Sequence, residues 1–172
     1  RMFLQACWHA IEDAGYRPDN LVKGDNRNVG VFVGVTTPSH NLVGFENRAE
    51  KPLSITGLSF GSIANRVSYF MDFHGPCIPI DTMCSSTLVA IQMACESINE
   101  GKSSLAIAGG VNLYLHPSRL EDLSMGGLLS KDQFTRSFSA SGQGFVPCEA
   151  VGAIVLKPLE TAIRDKDHIH AV

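Results

Sequence analysis

The sequence predicts an α/β fold in which a parallel sheet is layered between helices. Three observations carry this expectation. Short apolar runs rich in Val, Ile and Ala alternate with segments of helical periodicity, the order that builds β-α-β units. The stretch from Cys77 to Gly109 is the clearest such unit, a strand, a helix and a second strand joined by short turns. Finally, 44% apolar and 18% charged residues in a chain of 172 supply one sizeable core and too little charge for a disordered tail. That length suits one domain or a contiguous piece of a larger one.

Taken in order, Phe3, Leu4, Cys7, Trp8, Ile11 and Ala14 recur at helical spacing and Gly15 follows as a C′ residue, which predicts a helix over about 1–14. Val29, Val31, Val33 and Val35 alternate with Gly30, Phe32 and Gly34 as a strand. Residues 36–58 show no period and are expected to form a long surface excursion. Ile63, Ala64, Val67 and Phe70 form a second helical stripe, and Cys77 to Ile80 reads as a short buried strand. From Thr87 to Ile98 nearly every position through Cys95 is apolar or small, the pattern of a helix buried on most sides. Leu105–Gly109 and Val151–Leu156 are further strands, Leu159–Asp165 is a helix, and Ile169 is expected to open another strand.

Composition excludes several functions. Lys plus Arg is 14 against 17 for Asp plus Glu, and no window combines basic residues with exposed aromatics, so a nucleic-acid partner lacks its electrostatic footprint. The most apolar stretch, Leu105 to Leu115, is too short for a bilayer span and is interrupted by Gly109, Gly110 and Asn112, so no membrane partner is expected. The opening residues lack the order of a signal peptide, and both ends read as cut elements. Cys7, Cys77, Cys84, Cys95 and Cys148 are odd in number, irregularly spaced and free of any Cys-x-x-Cys pair, which fits a reduced, cytoplasmic setting.

One cysteine stands at a chemically distinctive place. Ile80-Asp81-Thr82-Met83-Cys84-Ser85-Ser86-Thr87 puts Cys84 at the turn from a short strand into an apolar helix. The first N–H groups of a helix have no intrahelical acceptor, and with the helix dipole they favour negative charge on a thiol or on an oxyanion formed at it. Two readings of this turn stand side by side: a nucleophile elbow in cysteine form, or a small buried Cys beside an N-cap serine.

The segment Ile78 to Ile91 resembles the active-site region of the β-ketoacyl synthases of polyketide assembly lines. The likeness continues through Phe3 to Gly15, Val29 to Gly34, Ser62-Ile63-Ala64-Asn65-Arg66, Ala106 to Asn112, and Gly152 to Pro158, in the order and approximate spacing of that family. Thr82-Met83-Cys84, Gly109-Gly110-Val111-Asn112-Leu113 and His116-Pro117 resemble the subgroup that works with acyltransferases acting in trans. The resemblance implies a thiolase-like αβαβα layered fold made of two similar halves. Residues 1–172 would be a partial ketosynthase domain holding most of the N-terminal half, without its first segment and without the C-terminal half.

The same resemblance implies a function. Cys84 would accept an acyl chain from the phosphopantetheine thiol of an acyl carrier protein and pass it to the carbanion made by decarboxylating a malonyl thioester. Its backbone N–H would be one oxyanion donor, with Ser85 and Ser86 supporting the helix start. A homodimer pairing through the strand before Cys84, neighbouring synthase domains and the rest of the ketosynthase are the implied partners. No metal or organic cofactor belongs to the family's site; substrates arrive on the carrier's phosphopantetheine. The family's two histidine motifs, His-Gly-Thr-Gly-Thr and Asn-x-x-x-Gly-His, do not occur here, and none of the six histidines is assigned.

Departures and rival motifs complete the reading. Where the family has Asp-Gly and Gly-Glu-Gly, this chain has Gln143-Gly144 and Cys148-Glu149-Ala150, and a β-carbon at a lost glycine costs roughly 1 kcal/mol if that position needs positive φ. Two other functions remain open: a thiolase-like cysteine acyltransferase using coenzyme A thioesters, and a non-elongating or docking remnant of a synthase. Gly57-Leu58-Ser59-Phe60-Gly61 matches a serine-hydrolase pentapeptide but lacks an upstream oxyanion loop. Gly101-Lys102-Ser103 reads as a helix stop, because Glu96 stands where a P-loop needs glycine. His168 and His170 read as ordinary strand histidines, and Asp81 and Glu149 as local hydrogen-bonding groups.

Overall fold

The structure, a computed structural model, describes residues 1–22, 27–37, 39–46 and 59–172. These form α1 (Met2–Asp13), β1 (Val29–Gly34), α2 (Ser39–Glu46), α3 (Gly61–Met71), β2 (Cys77–Ile80), α4 (Ser86–Asn99), β3 (Leu105–Asn112), α5 (Ser118–Met125), β4 (Ala150–Leu156) and α6 (Leu159–Asp165). Two compact units result. One contains α1, β1, α3, β2, α4, α6 and the bodies of β3 and β4; the other contains α2, α5 and the segment from Asn112 to Ala150.

In the first unit the strands run in the order β2-β1-β3-β4. β1 is the hub, parallel to β2 from Val31 opposite Cys77 to Gly34 opposite Ile80, and parallel to β3 from Val29 opposite Leu105 to Gly34 opposite Gly110. The β2-α4-β3 unit therefore steps across β1, and all six residues of β1 are buried, as a central parallel strand requires. Pro79, which has no N–H for a ladder, lies on the edge strand β2.

Successive strand residues face opposite sides, and the two sides differ in kind. Val29, Val31, Val33, Leu105 and Ile107 pack with Phe3, Cys7 and Ile11 of α1 and Ala64, Val67 and Met71 of α3. Phe32, Ala106 and Ala108 face the other way and pack with Ala90 and Ala94 of α4. Helices thus cover both faces, α1 and α3 on one and α4 on the other. α1 ends where Gly15, at φ +81°, lets the Tyr16 N–H reach back to Ile11 O.

Three expectations change. α4 buries only the stripe Ser86, Ala90, Ala94 and Ser97, while Leu88 is 72% exposed, so its apolar character all round does not translate into burial on most sides here. The expected strand from Ile169 is absent; residues 167–172 are irregular, with the His168 and His170 rings edge to face at 4.6 Å and His170 Nε2 2.9 Å from Asp13. Most of the 36–58 excursion lies outside the described residues, but Ser39–Glu46 is helical. Gly101, at φ +72°, ends α4 as expected of a helix stop, and Lys102 pairs with Glu100.

A half-buried charge cluster closes this unit. Lys157 Nζ reaches Asp165 at 2.8 Å, Asp167 at 2.6 Å and the Tyr16 hydroxyl at 3.1 Å, and the Tyr16 hydroxyl donates to Asp167. Burial disfavours the Lys157 ammonium, but its bonds to Asp165, Asp167 and Tyr16 outweigh that and hold its proton well above the ordinary lysine range. The cluster ties the end of α1 to β4 and to the chain leaving α6.

In the second unit, His116 stands before α5. Its Nδ1 accepts from the Ser118 backbone N–H at 3.2 Å, and its Nε2 lies 2.9 Å from Glu46 Oε1. Leu129 and Phe145 form an isolated parallel bridge, closed against Gly144 at φ +111°.

Candidate active site at the turn between β2 and α4

The chain leaves β2 at Ile80 and enters α4 through a single 3-10 turn, Met83–Ser85. Cys84 lies in that turn and is exposed. Within residues 1–172 it is therefore not a buried small cysteine. Met83, immediately before it, has φ +57°, a left-handed conformation that a side chain disfavours.

A set of short polar contacts defines the turn. Asp81 Oδ1 accepts the Met83 N–H at 3.1 Å. The Ser86 hydroxyl accepts the Thr82 N–H at 2.9 Å and donates to the Met83 carbonyl at 2.6 Å. Ser85 Oγ donates to the Thr82 carbonyl at 2.8 Å and lies 2.9 Å from Thr82 Oγ1. The serines were expected to support the helix start, and they do so differently from a cap: Ser85 occupies the N-cap position without a side-chain cap bond, and both hydroxyls brace the preceding turn.

Two glycines allow the start of α4 to sit down on the sheet. A β-carbon on Gly34 at the end of β1 would stand 2.6 Å from Thr87 N and 2.7 Å from Ser86 C, against backbone that cannot swing away. One on Gly110 of β3 would collide with the Thr87 side chain. Their roles were not assigned from sequence, although glycine inside an otherwise apolar strand is the signal of close backbone approach that would have found them.

The other thiols differ. Burial pushes the Cys7 thiol up to about 12, and burial also raises that of Cys77, partly offset by a bond from the Ser68 hydroxyl. Cys95 is half-buried on α4, and only Cys148 shares the exposure of Cys84. Four histidines are taken up by carboxylates near them: His9 by Glu12, His74 by Asp72, His116 by Glu46 and His170 by Asp13.

Asp81 serves a local backbone group as expected, whereas Glu149 accepts the Tyr114 N–H at 2.6 Å across a separation of 35 residues. Gln143, Cys148 and Ala150 are all outside the left-handed region, so the β-carbons at the two lost glycines carry no such strain. Ser59 accepts the Gly61 N–H at 3.2 Å, and Ser62 donates to its carbonyl, the contacts of a helix entry at α3; Gly57 and Leu58 of that pentapeptide lie outside the described residues.

The described residues thus place a sheet, with β1 parallel to both of its neighbours, between helices and an exposed cysteine at a braced strand-to-helix turn, and the comparisons with known proteins identify the class. Residues 1–162 match the family model described as "Beta-ketoacyl synthase, N-terminal domain". The chain belongs to that family. It is 47% identical to polyketide synthase PksL of Bacillus subtilis strain 168 and 49% identical to polyketide synthase ThaG of Burkholderia thailandensis, in each case over all of this chain but only 4% and 3% of the relative.

Solved structures agree. An oxazolomycin ketosynthase domain, OzmH KS7, of Streptomyces albus JA3453 superposes with a TM-score of 0.89 at 45% identity, covering 98% of this chain and 30% of that one. The ketosynthase from module 6 of the bacillaene synthase of Bacillus subtilis 168 gives 0.84 at 37% identity, covering 98% and 28%. The chain thus spans under a third of either solved ketosynthase. Its α/β sheet is the N-terminal part of the thiolase-like fold.

Proposed function

We propose that this chain is the acyl-accepting part of a polyketide ketosynthase of the type served by acyltransferases in trans, with Cys84 as nucleophile. The observation that carries the reading is the exposed thiol held on a braced turn at the N-terminus of α4. The Cys84 thiolate attacks the carbonyl carbon of an acyl-pantetheine thioester on a carrier protein. The oxyanion that forms lies toward the Cys84 N–H and the start of α4, and its collapse expels the pantetheine thiolate, leaving the acyl group on Sγ. In the second half-reaction a malonyl thioester loses CO2, its enolate carbon attacks the Cys84 thioester carbon, and Sγ leaves as thiolate. The proton donors for that step belong to the family's two histidine motifs, which this sequence does not contain. Residues 1–172 therefore act as a part of a larger ketosynthase.

The partners of this reading are an acyl carrier protein, the remainder of the ketosynthase and neighbouring synthase domains, in a cytoplasmic setting. Among the described residues no helix is long and apolar enough to cross a membrane. A homodimer pairing along β2 is supported by the position of that strand at the sheet edge, where one side of its backbone faces no strand among the described residues.

Intact mass after incubation of the complete ketosynthase with an acyl-pantetheine thioester tests the central step. One acyl adduct is expected on the wild type and none on Cys84→Ser. An equal adduct on the serine variant places loading elsewhere and ends the proposal. Acylation at full rate by coenzyme A thioesters, with no gain from a carrier protein, favours the thiolase-like alternative.

A further inference from the structure

The peptide group between Met83 and Cys84 has two ends: the Met83 carbonyl on one side and the Cys84 N–H on the other. The Ser86 hydroxyl, in a side chain that is almost fully buried, donates to that carbonyl at 2.6 Å and accepts the Thr82 N–H at 2.9 Å. One oxygen thus links the peptide group after Met83 to the peptide group before Thr82, alongside the Ser86 backbone N–H, which also donates to the Met83 carbonyl. Met83 lies between them at φ +57°, a conformation that persists only where the surroundings over-determine it. Asp81 Oδ1 holds the Met83 N–H at 3.1 Å, fixing the intervening peptide group as well.

We infer that Ser86 is a positioning residue for acyl transfer, whose hydroxyl sets the plane of the Met83–Cys84 peptide and so aims the Cys84 N–H at the oxyanion. This rests on the functional reading above. A peptide plane is rigid, so a carbonyl pinned on one side fixes the N–H on the other. Donation to the carbonyl also polarises the same amide and strengthens its N–H as a donor. Ser86 touches neither thiol nor substrate in this role. Its effect is on the direction of a dipole, which matters where charge develops on an oxygen and matters little where none does.

That difference supplies the test. Acyl loading passes through an oxyanion; alkylation of the same thiol by iodoacetamide does not. Both rates are measured at Cys84 by peptide mass mapping in the complete ketosynthase, for wild type, Ser86→Ala and Ser86→Thr. Ser86→Ala is expected to lower the loading kcat about tenfold or more with KM unchanged, while alkylation stays within about twofold. Ser86→Thr keeps the hydroxyl and is expected to load within about threefold of wild type. Unchanged loading in Ser86→Ala overturns the inference. So does a fall in loading matched by an equal fall in alkylation, which marks a merely structural residue, and so does a Ser86→Thr variant as slow as Ser86→Ala. A wild type whose Cys84 alkylates but never acylates overturns the functional reading itself, and the inference with it.

Discussion

The two faces of the sheet are built to different rules. Between the sheet and α1 and α3 lie Val29, Val31, Val33 and Ile107 of the strands against Phe3 and Ile11 of α1 and Val67 of α3, large side chains that fill a deep layer. Toward α4 the sheet presents Ala106 and Ala108 against Ala90 and Ala94, with Phe32 and Ile80 as the large exceptions. Glycines at 34 and 110 then bring the strand ends directly under the first turn of the helix. The first face is a store of stability. The second trades side-chain volume for close approach, and close approach is what holds the turn carrying Cys84 at the carboxyl ends of β1 and β3.

Substitutions that exchange the two rules should separate them. The largest loss is expected from Phe3→Ala on the large-residue face, about 4 kcal/mol by chemical denaturation, because a buried aromatic leaves a cavity. A loss under about 1 kcal/mol there would mean that this face is loosely packed. Lys157→Met should cost about 3 kcal/mol, since it leaves Asp165 and Asp167 facing each other without their cation.

The same cluster makes a pH prediction. Burial works against the charged Asp167 carboxylate, but hydrogen bonds from Lys157 and Tyr16 outweigh it and hold that carboxyl below the usual range. A lowered carboxyl contributes stability that is present above the unfolded value near 4 and lost as pH falls through the folded value. Lys157 and Tyr16 are both raised, Tyr16 by burial first and then by its bond to Asp167. Their contributions are complete below about pH 10 and fade as pH rises through the folded values. Melting temperature against pH should therefore fall at both ends in the wild type and more gently in Lys157→Met; parallel curves would show that the cluster is not linked to folding.

On the α4 face the expected effects are smaller for stability and larger for chemistry. Ala94→Leu overpacks the small-residue layer and should cost about 2 kcal/mol while lifting α4 from the strands, so acyl loading should fall more than stability does. Equal loading by that variant would show that the close approach of α4 is irrelevant to Cys84. The smallest change is expected from Leu88→Gln, within about 0.5 kcal/mol in residues 1–172, because that side chain points away from the sheet. A much larger loss in the complete ketosynthase would place another layer of protein over it.

Periodicity located the strands and α1, α3, α4 and α6, since strands with two buried faces and helices with apolar stripes write their period directly into the chain; α2 and α5, which carry no such stripe, are not placed by it. It says less about depth: Thr87 to Ile98 reads as buried on most sides, and within residues 1–172 its small residues are the fully buried ones while Val89, Ile91, Met93 and Ile98 are partly buried against the same cluster. It failed at Ile169, where an apolar-alternating stretch has no neighbouring strand to pair with among the described residues. For the candidate site, Cys84 was readable because a helix start follows a short strand. The brace was not, because nothing in the order of Thr82, Met83, Ser85 and Ser86 says that the hydroxyls turn back to the loop instead of capping α4, or that Met83 is left-handed.

Cys148 offers an internal control, since it is exposed like Cys84 but lies in no helix start. Brief treatment of the folded protein with less than one equivalent of iodoacetamide, followed by peptide mapping, compares the two thiols in one sample. If the turn between β2 and α4 activates its cysteine, Cys84 should carry most of the label, with Cys148 well behind and Cys7 unlabelled. Label divided equally between Cys84 and Cys148, or found first at Cys148, would contradict the claim that this turn makes Cys84 the nucleophile.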